Sequence, residues 1–104
     1  MQKILIDTFI VPDGSKSAFL EEVRKSSSFL RTIPGYVEGY IYEKTDGGSA
    51  YNVITTAVWA SEEAFESAQR TAAANFEKIG FNPKEIIETL NVQMQRAVYE
   101  RMPY

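Results

Sequence analysis

Period-two and helical patterns alternate along this chain in the order strand, helix, strand, strand, helix, strand, and that order admits few folds. Lys3 to Val11 (KILIDTFIV) is rich in β-branched and aromatic residues and stops at the turn Pro12-Asp13-Gly14. Ser15 to Thr32 predicts a helix. Phe19, Leu20, Val23, Ser27 and Leu30 recur at helical spacing, with Glu21, Glu22, Arg24 and Lys25 on the other side. Pro34 in Ile33-Pro34-Gly35 cannot continue the helical ladder. Tyr36 to Lys44 and Ala50 to Trp59 form two strands joined by a hairpin loop, Thr45-Asp46-Gly47-Gly48-Ser49. Ser61 caps a second helix, with Glu62 and Glu63 in the first turn, where the helix dipole favours negative charge. Phe65, Ala68, Ala72 and Phe76 carry its apolar stripe as far as Lys78. Asn82-Pro83-Lys84-Glu85 opens a short helix through Leu90, and Val92 to Arg101 alternates as a fourth strand.

Two right-handed crossovers then give an α+β, ferredoxin-like four-stranded antiparallel sheet with both long helices on one face. The 104 residues, 44% of them hydrophobic, are expected to form one domain spanning residues 1–104. With helices on one face only, the other face of an antiparallel sheet is normally polar. Here Ile4, Ile6 and Ile10 oppose Leu5, Phe9 and Val11 on the first strand. On the third, Ile54 and Val58 oppose Val53, Ala57 and Trp59. Both faces are apolar, so a partner is expected over the open one, and a twofold copy of the chain is the simplest cover. The alternative is that the short helix near Asn82 lies across it.

Cysteine and histidine are both absent. That excludes disulfides, a Cys/His zinc site, a thiol nucleophile, a Ser-His-Asp triad and a histidine-held haem. The net charge of −3 and the scattered Lys and Arg give no footprint for nucleic acid. The start, Met1-Gln2-Lys3-Ile4-Leu5, lacks the apolar stretch of a signal peptide or membrane span, so the expected compartment is the cytoplasm, with no membrane partner.

Asp7 interrupts an apolar strand between Leu5 and Phe9 on its own face. Partial desolvation would disfavour its charged form and suit it to deprotonate a phenol or carbon acid, giving an anion that reacts with oxygen. Alternatively it pairs with Arg96 on the fourth strand. Trp59 is either a pocket wall with an indole donor or a core anchor. Tyr36, Tyr40 and Tyr42 are expected on one face of the second strand, for a flat substrate or for a dimer seam. Asn52, Thr55 and Thr56 offer amide and hydroxyl groups to a substrate carbonyl, or serve the strand alone. Phe29, Phe65 and Phe76 fit a core or a pocket mouth, Arg70 is expected in solvent, and no acidic pair suggests a metal.

The run Val58-Trp59-Ala60-Ser61-Glu62-Glu63-Ala64-Phe65 adds a resemblance, together with Val11-Pro12-Asp13-Gly14 and Ile33-Pro34-Gly35-Tyr36. Over residues 3 to 100 the chain resembles the antibiotic biosynthesis monooxygenase domain family. The resemblance implies a dimeric α/β barrel with a pocket between sheet and helices in each subunit. Characterised members oxidise polycyclic phenols or quinols without a cofactor, or degrade haem; relatives include isomerases and proteins without a known reaction. The haem-degrading scheme uses a His, a helical Trp and a strand-one Asn; this chain has no His, and carries Ala68 and Asp7 at the other two places. The polyketide-oxidising scheme keeps its Trp as Trp59 but finds Thr55 and Phe65 in place of Asn and Tyr.

The resulting expectation is a cofactor-free monooxygenase of a small aromatic or quinol-like molecule, working as a homodimer. Asp7 and Trp59 are its catalytic candidates, and Phe9, Tyr40, Asn52, Thr55 and Phe65 surround the substrate. A non-catalytic ligand-binding dimer and an isomerase of the same fold stand beside it.

Overall fold

The computed structural model describes residues 1–103. The elements are β1 (Lys3–Ile10), a 3₁₀ turn (Asp13–Ser15), α1 (Lys16–Leu30), β2 (Tyr36–Glu43), β3 (Val53–Trp59), α2 (Glu62–Ile79), α3 (Pro83–Thr89) and β4 (Gln93–Tyr99). The four strands form one antiparallel sheet in the order β2-β3-β1-β4, the ferredoxin-like arrangement. The molecule measures 42 × 37 × 17 Å, thin enough for one sheet and one helix layer.

Local chemistry explains where the elements begin and end. Pro12 is extended, and its carbonyl accepts from Ser15 N–H at 2.9 Å, turning the chain into α1. After α1, Gly35 adopts φ +91°, and a Cβ there would lie 2.5 Å from the Ala64 methyl at the start of α2. Ser61 Oγ accepts from Ala64 N–H at 3.1 Å and caps α2. Asn82 caps α3, its Oδ1 accepting from the amides of Lys84 and Glu85. The third strand begins at Val53 and not at Ala50, because Asn52 is drawn toward β1. Its Oδ1 accepts from Val11 N–H at 2.8 Å and its Nδ2 donates to Val11 O at 2.9 Å.

The second strand departs from simple alternation. Tyr36 pairs with Trp59 and Glu38 with Val58, so Val37 is an extra residue, a β-bulge. The bulge puts Tyr36 on the helix-covered face, edge-on to Trp59 at 5.5 Å, and Tyr40 and Tyr42 on the open one. The three tyrosines therefore do not share a face, because one inserted residue reverses the period-two pattern.

The covered face holds two core clusters. Phe9, Val11, Phe19, Val53 and Val92 form one, and Ile33, Ala57, Trp59, Phe65 and Ala68 the other. Strand register explains the split. Val53, Phe9 and Met94 stand in one row across the sheet, and Ala57, Leu5 and Val98 in another. Between these apolar rows runs Thr55, Asp7 and Arg96.

On the open face Ile4, Ile6, Ile10 and Ile54 are half-buried, while Tyr40, Tyr42 and Tyr99 are each just over half exposed. The short helix α3 packs on the other side of the sheet, where Ile87 and Leu90 join the first core cluster. It does not cover the open face.

Candidate functional site

The polar row Thr55–Asp7–Arg96 forms the floor of a cavity of about 490 Å³ between the sheet and the three helices. That is an ordinary volume for a small-molecule pocket. Phe9, Ala57 and Trp59 flank the row. Val23, Ser26 and Ser27 of α1 and Phe65, Ala68, Gln69 and Phe76 of α2 form the walls, with Phe81, Ile86 and Ile87 at the α3 side. The cavity is thus apolar around a polar floor and partly open to solvent.

Asp7 is 7% exposed, the only charged or polar residue in the buried set among the described residues. Its carboxylate meets Arg96 in a two-point pair: Nε donates to Oδ1 at 2.8 Å and Nη2 to Oδ2 at 2.9 Å. The hydrogen bond to Asp7 holds the Arg96 guanidinium above its ordinary pKa; burial works against this, and the Asp7 charge adds to it. The Arg96 side chain stays about half exposed and lines the cavity, with Nη1 outside the pair. The ion-pair alternative for Asp7 is therefore the one realised. Both carboxylate oxygens accept from the guanidinium, so proton abstraction by Asp7 would compete with that pairing.

Trp59 lies both in the core and along the cavity. At 2% exposure it anchors the second core cluster, and it also lines the cavity. Neither its indole N–H nor the Thr55 hydroxyl has a hydrogen-bond partner among the described residues, leaving two donors beside the floor.

Asp7, Trp59, Phe9, Thr55 and Phe65 thus come together around one cavity. Tyr40 and Asn52 do not join it. The Tyr40 side chain follows strand alternation onto the open face, where it is 53% exposed. The Asn52 amide is occupied by Val11 at the end of the sheet. Gln69 was not expected at the site. It falls four residues after Phe65, within the repeat of the buried stripe, and that spacing is the signal that marks it. No group of three acidic side chains near enough to hold a metal ion occurs among the described residues. No helix among them is long and apolar enough to cross a membrane.

The strand order and helix placement define a ferredoxin-like α+β protein with a cavity on the covered face of its sheet. A profile of the family described as antibiotic biosynthesis monooxygenase matches residues 4–75, from β1 through most of α2, and the chain belongs to that family. No curated protein matches it. Among solved structures, it is similar to SnoaB, a cofactor-independent oxygenase from Streptomyces nogalater, with 16% identity, 99% of this chain and 95% of that one covered, and a TM-score of 0.69. It is also similar to Rv0793 from Mycobacterium tuberculosis, with 16% identity, 100% and 98% coverage and a TM-score of 0.74. A third likeness is to the haem-degrading protein Rv3592 from the same organism, with 19% identity, 66% and 78% coverage and a TM-score of 0.59. At such identities these likenesses establish the fold, which hosts more than one chemistry.

Proposed function

We propose that the chain is a cofactor-independent monooxygenase that binds a small aromatic or quinol-like molecule in the cavity of the covered face. The observation that carries this reading is the Asp7–Arg96 pair on the floor of an otherwise apolar chamber. A guanidinium fixed by a carboxylate presents its remaining donors to the chamber without having to reorganise. It favours the anionic form of a bound phenol or acidic carbon acid. Such an anion is electron-rich and gives electrons to dioxygen directly. A carbon–oxygen bond forms at the activated carbon, and loss of water from the peroxide leaves a carbonyl there, the second oxygen atom departing in the water. Trp59 and Thr55 supply hydrogen-bond donors to the oxygen-bearing side of the substrate, while Phe9 and Phe65 enclose its ring. In this reading Arg96 and Trp59 touch substrate, and Asp7 acts through Arg96 as a positioning residue.

The active unit is a homodimer. The open face of isoleucines with a tyrosine rim is an apolar patch of the kind that marks interfaces, and a second copy meets it isologously.

Oxygen uptake with a panel of quinols and polycyclic phenols tests the reaction. Uptake above background that falls in Asp7→Asn supports it, and no uptake with any member counts against it. Because Asp7 is engaged as an ion pair, a non-catalytic ligand-binding role is the second reading. It predicts saturable binding of the same compounds with no turnover. Turnover under strict anaerobiosis would instead indicate an isomerase.

A further inference from the structure

Beside the main cavity lies a smaller annex of about 140 Å³ under the C-terminal end of α1. Ser27, Leu30, Thr56 and Ala57 line both spaces, so the two chambers share a wall. Two of those residues, Ser27 and Ala57, have small side chains. The annex owes its floor to Gly39. A Cβ at that position would lie 2.4 Å from the Thr56 carbonyl and 2.5 Å from the Tyr36 hydroxyl, so only glycine leaves the phenol room to lie across the strand.

The bulge at Val37 turns Tyr36 inward, and its hydroxyl has no hydrogen-bond partner among the described residues. Arg31, just past the end of α1, lines the same annex and makes no ion pair among the described residues. A neutral hydroxyl donor and a residue bearing a guanidinium thus line one small space that shares a wall with the main cavity and is less than a third of its volume.

We propose that the annex is a subsite for a short acidic arm on the ligand: the main chamber takes a flat hydroxylated ring system, and a carboxylate on a one- or two-carbon tether reaches Tyr36 and Arg31. This rests on the main cavity being the ligand site. It adds what the cavity floor does not specify, namely which ring substituent is recognised and from which side. Tyr36 and Arg31 are specificity residues here, distant from the reacting carbon.

Trp59 is the only tryptophan of the chain, so its fluorescence reports occupancy of the main chamber. The test compares a plain naphthol with the same naphthol carrying a carboxymethyl arm. The armed compound is expected to bind about tenfold tighter, as one charged hydrogen-bonded contact gives. Arg31→Ala should abolish that advantage and leave plain naphthol binding unchanged, and Tyr36→Phe should reduce it. Arg31 is exposed and Tyr36→Phe keeps the ring, so both variants should fold. Equal affinity for the two naphthols overturns the subsite, and so does an advantage that survives Arg31→Ala, which would place the arm at Arg96. If neither compound perturbs Trp59, the main-cavity reading fails and the annex proposal falls with it.

Discussion

The two faces of the sheet are made from the same four strands and end in different states. The covered face buries Val53 completely and Trp59 to 2% exposure, yet keeps a cavity floored by a charge pair. The open face offers four isoleucines and three tyrosines to whatever meets it. Burial therefore does not separate function from structure in this molecule. The covered face is divided by one polar register row that lies between two apolar clusters, and the cavity stands over that row. The open face has polar residues as well, Thr8 and Gln95 in the row of Ile54 and Thr56 in the row of Ile6, but among the described residues no buried charge pair crosses it.

The contrast should be sharpest in stability. Trp59→Ala on the covered face should cost about 3–5 kcal/mol in denaturant unfolding, since it removes a core anchor and a cavity wall together. Tyr42→Ala on the open face should change intrinsic stability by less than about 0.5 kcal/mol. Comparable losses at both positions would erase the distinction.

Within the polar row the two partners should be unequal. Arg96→Met leaves Asp7 buried without its cation and should cost about 2–4 kcal/mol. Asp7→Asn leaves a half-exposed guanidinium that water can solvate, and should cost only about 1 kcal/mol. Chemical denaturation of the two variants checks the asymmetry, and equal costs would mean that the carboxylate is better hydrated than its 7% exposure indicates.

On the open face, Ile6→Glu should shift the mass in analytical ultracentrifugation from dimer to monomer while leaving the cavity able to bind a naphthol. A variant that stays dimeric would move the interface elsewhere.

The smallest effect belongs to the sheet edge, where Lys3 pairs with Glu100 and holds that carboxyl below the usual carboxylate range. A lowered folded pKa contributes stability above the unfolded value that is lost as pH falls through the folded one. Lys3→Gln should therefore flatten the acid limb of the stability profile slightly, with a neutral-pH midpoint that barely moves. An unchanged acid limb would show that solvent screens the pair entirely.

Much of this contrast is legible in the sequence. Strand alternation places Ile4 and Ile6 opposite Leu5 and Phe9, and Ser61 and Asn82 mark their helices through side-chain caps, so the fold follows from local chemistry. Asp7 stands out as a carboxylate in an apolar run, and Arg96 as its possible partner. Which of its two fates holds depends on register between strands separated by most of the chain. The bulge at Val37 is set by pairing with β3 and leaves no mark in local composition, so Tyr36 cannot be separated from Tyr40 by alternation alone. Asn52 reads as a polar strand residue until Val11 is seen to occupy both ends of its amide. The family profile ends at residue 75, so Arg96 and the α3 wall lie outside the matched segment; strand reading offers Arg96 as a partner for Asp7, and the geometry of the pair decides it.

The central claim is that the Asp7–Arg96 pair makes the covered-face cavity a site for an aromatic anion. Its most direct test is the ionisation of a bound naphthol, followed by naphtholate absorbance across pH. The wild-type protein should bind the anion in preference and shift the ionisation of the bound naphthol to lower pH by about one unit, equivalent to about 1.4 kcal/mol. The Asp7→Asn/Arg96→Gln double variant, uncharged and of similar size, should bind the naphthol without that shift. A naphthol that ionises on the wild-type protein as it does in water, or a shift that survives in the double variant, would contradict the account.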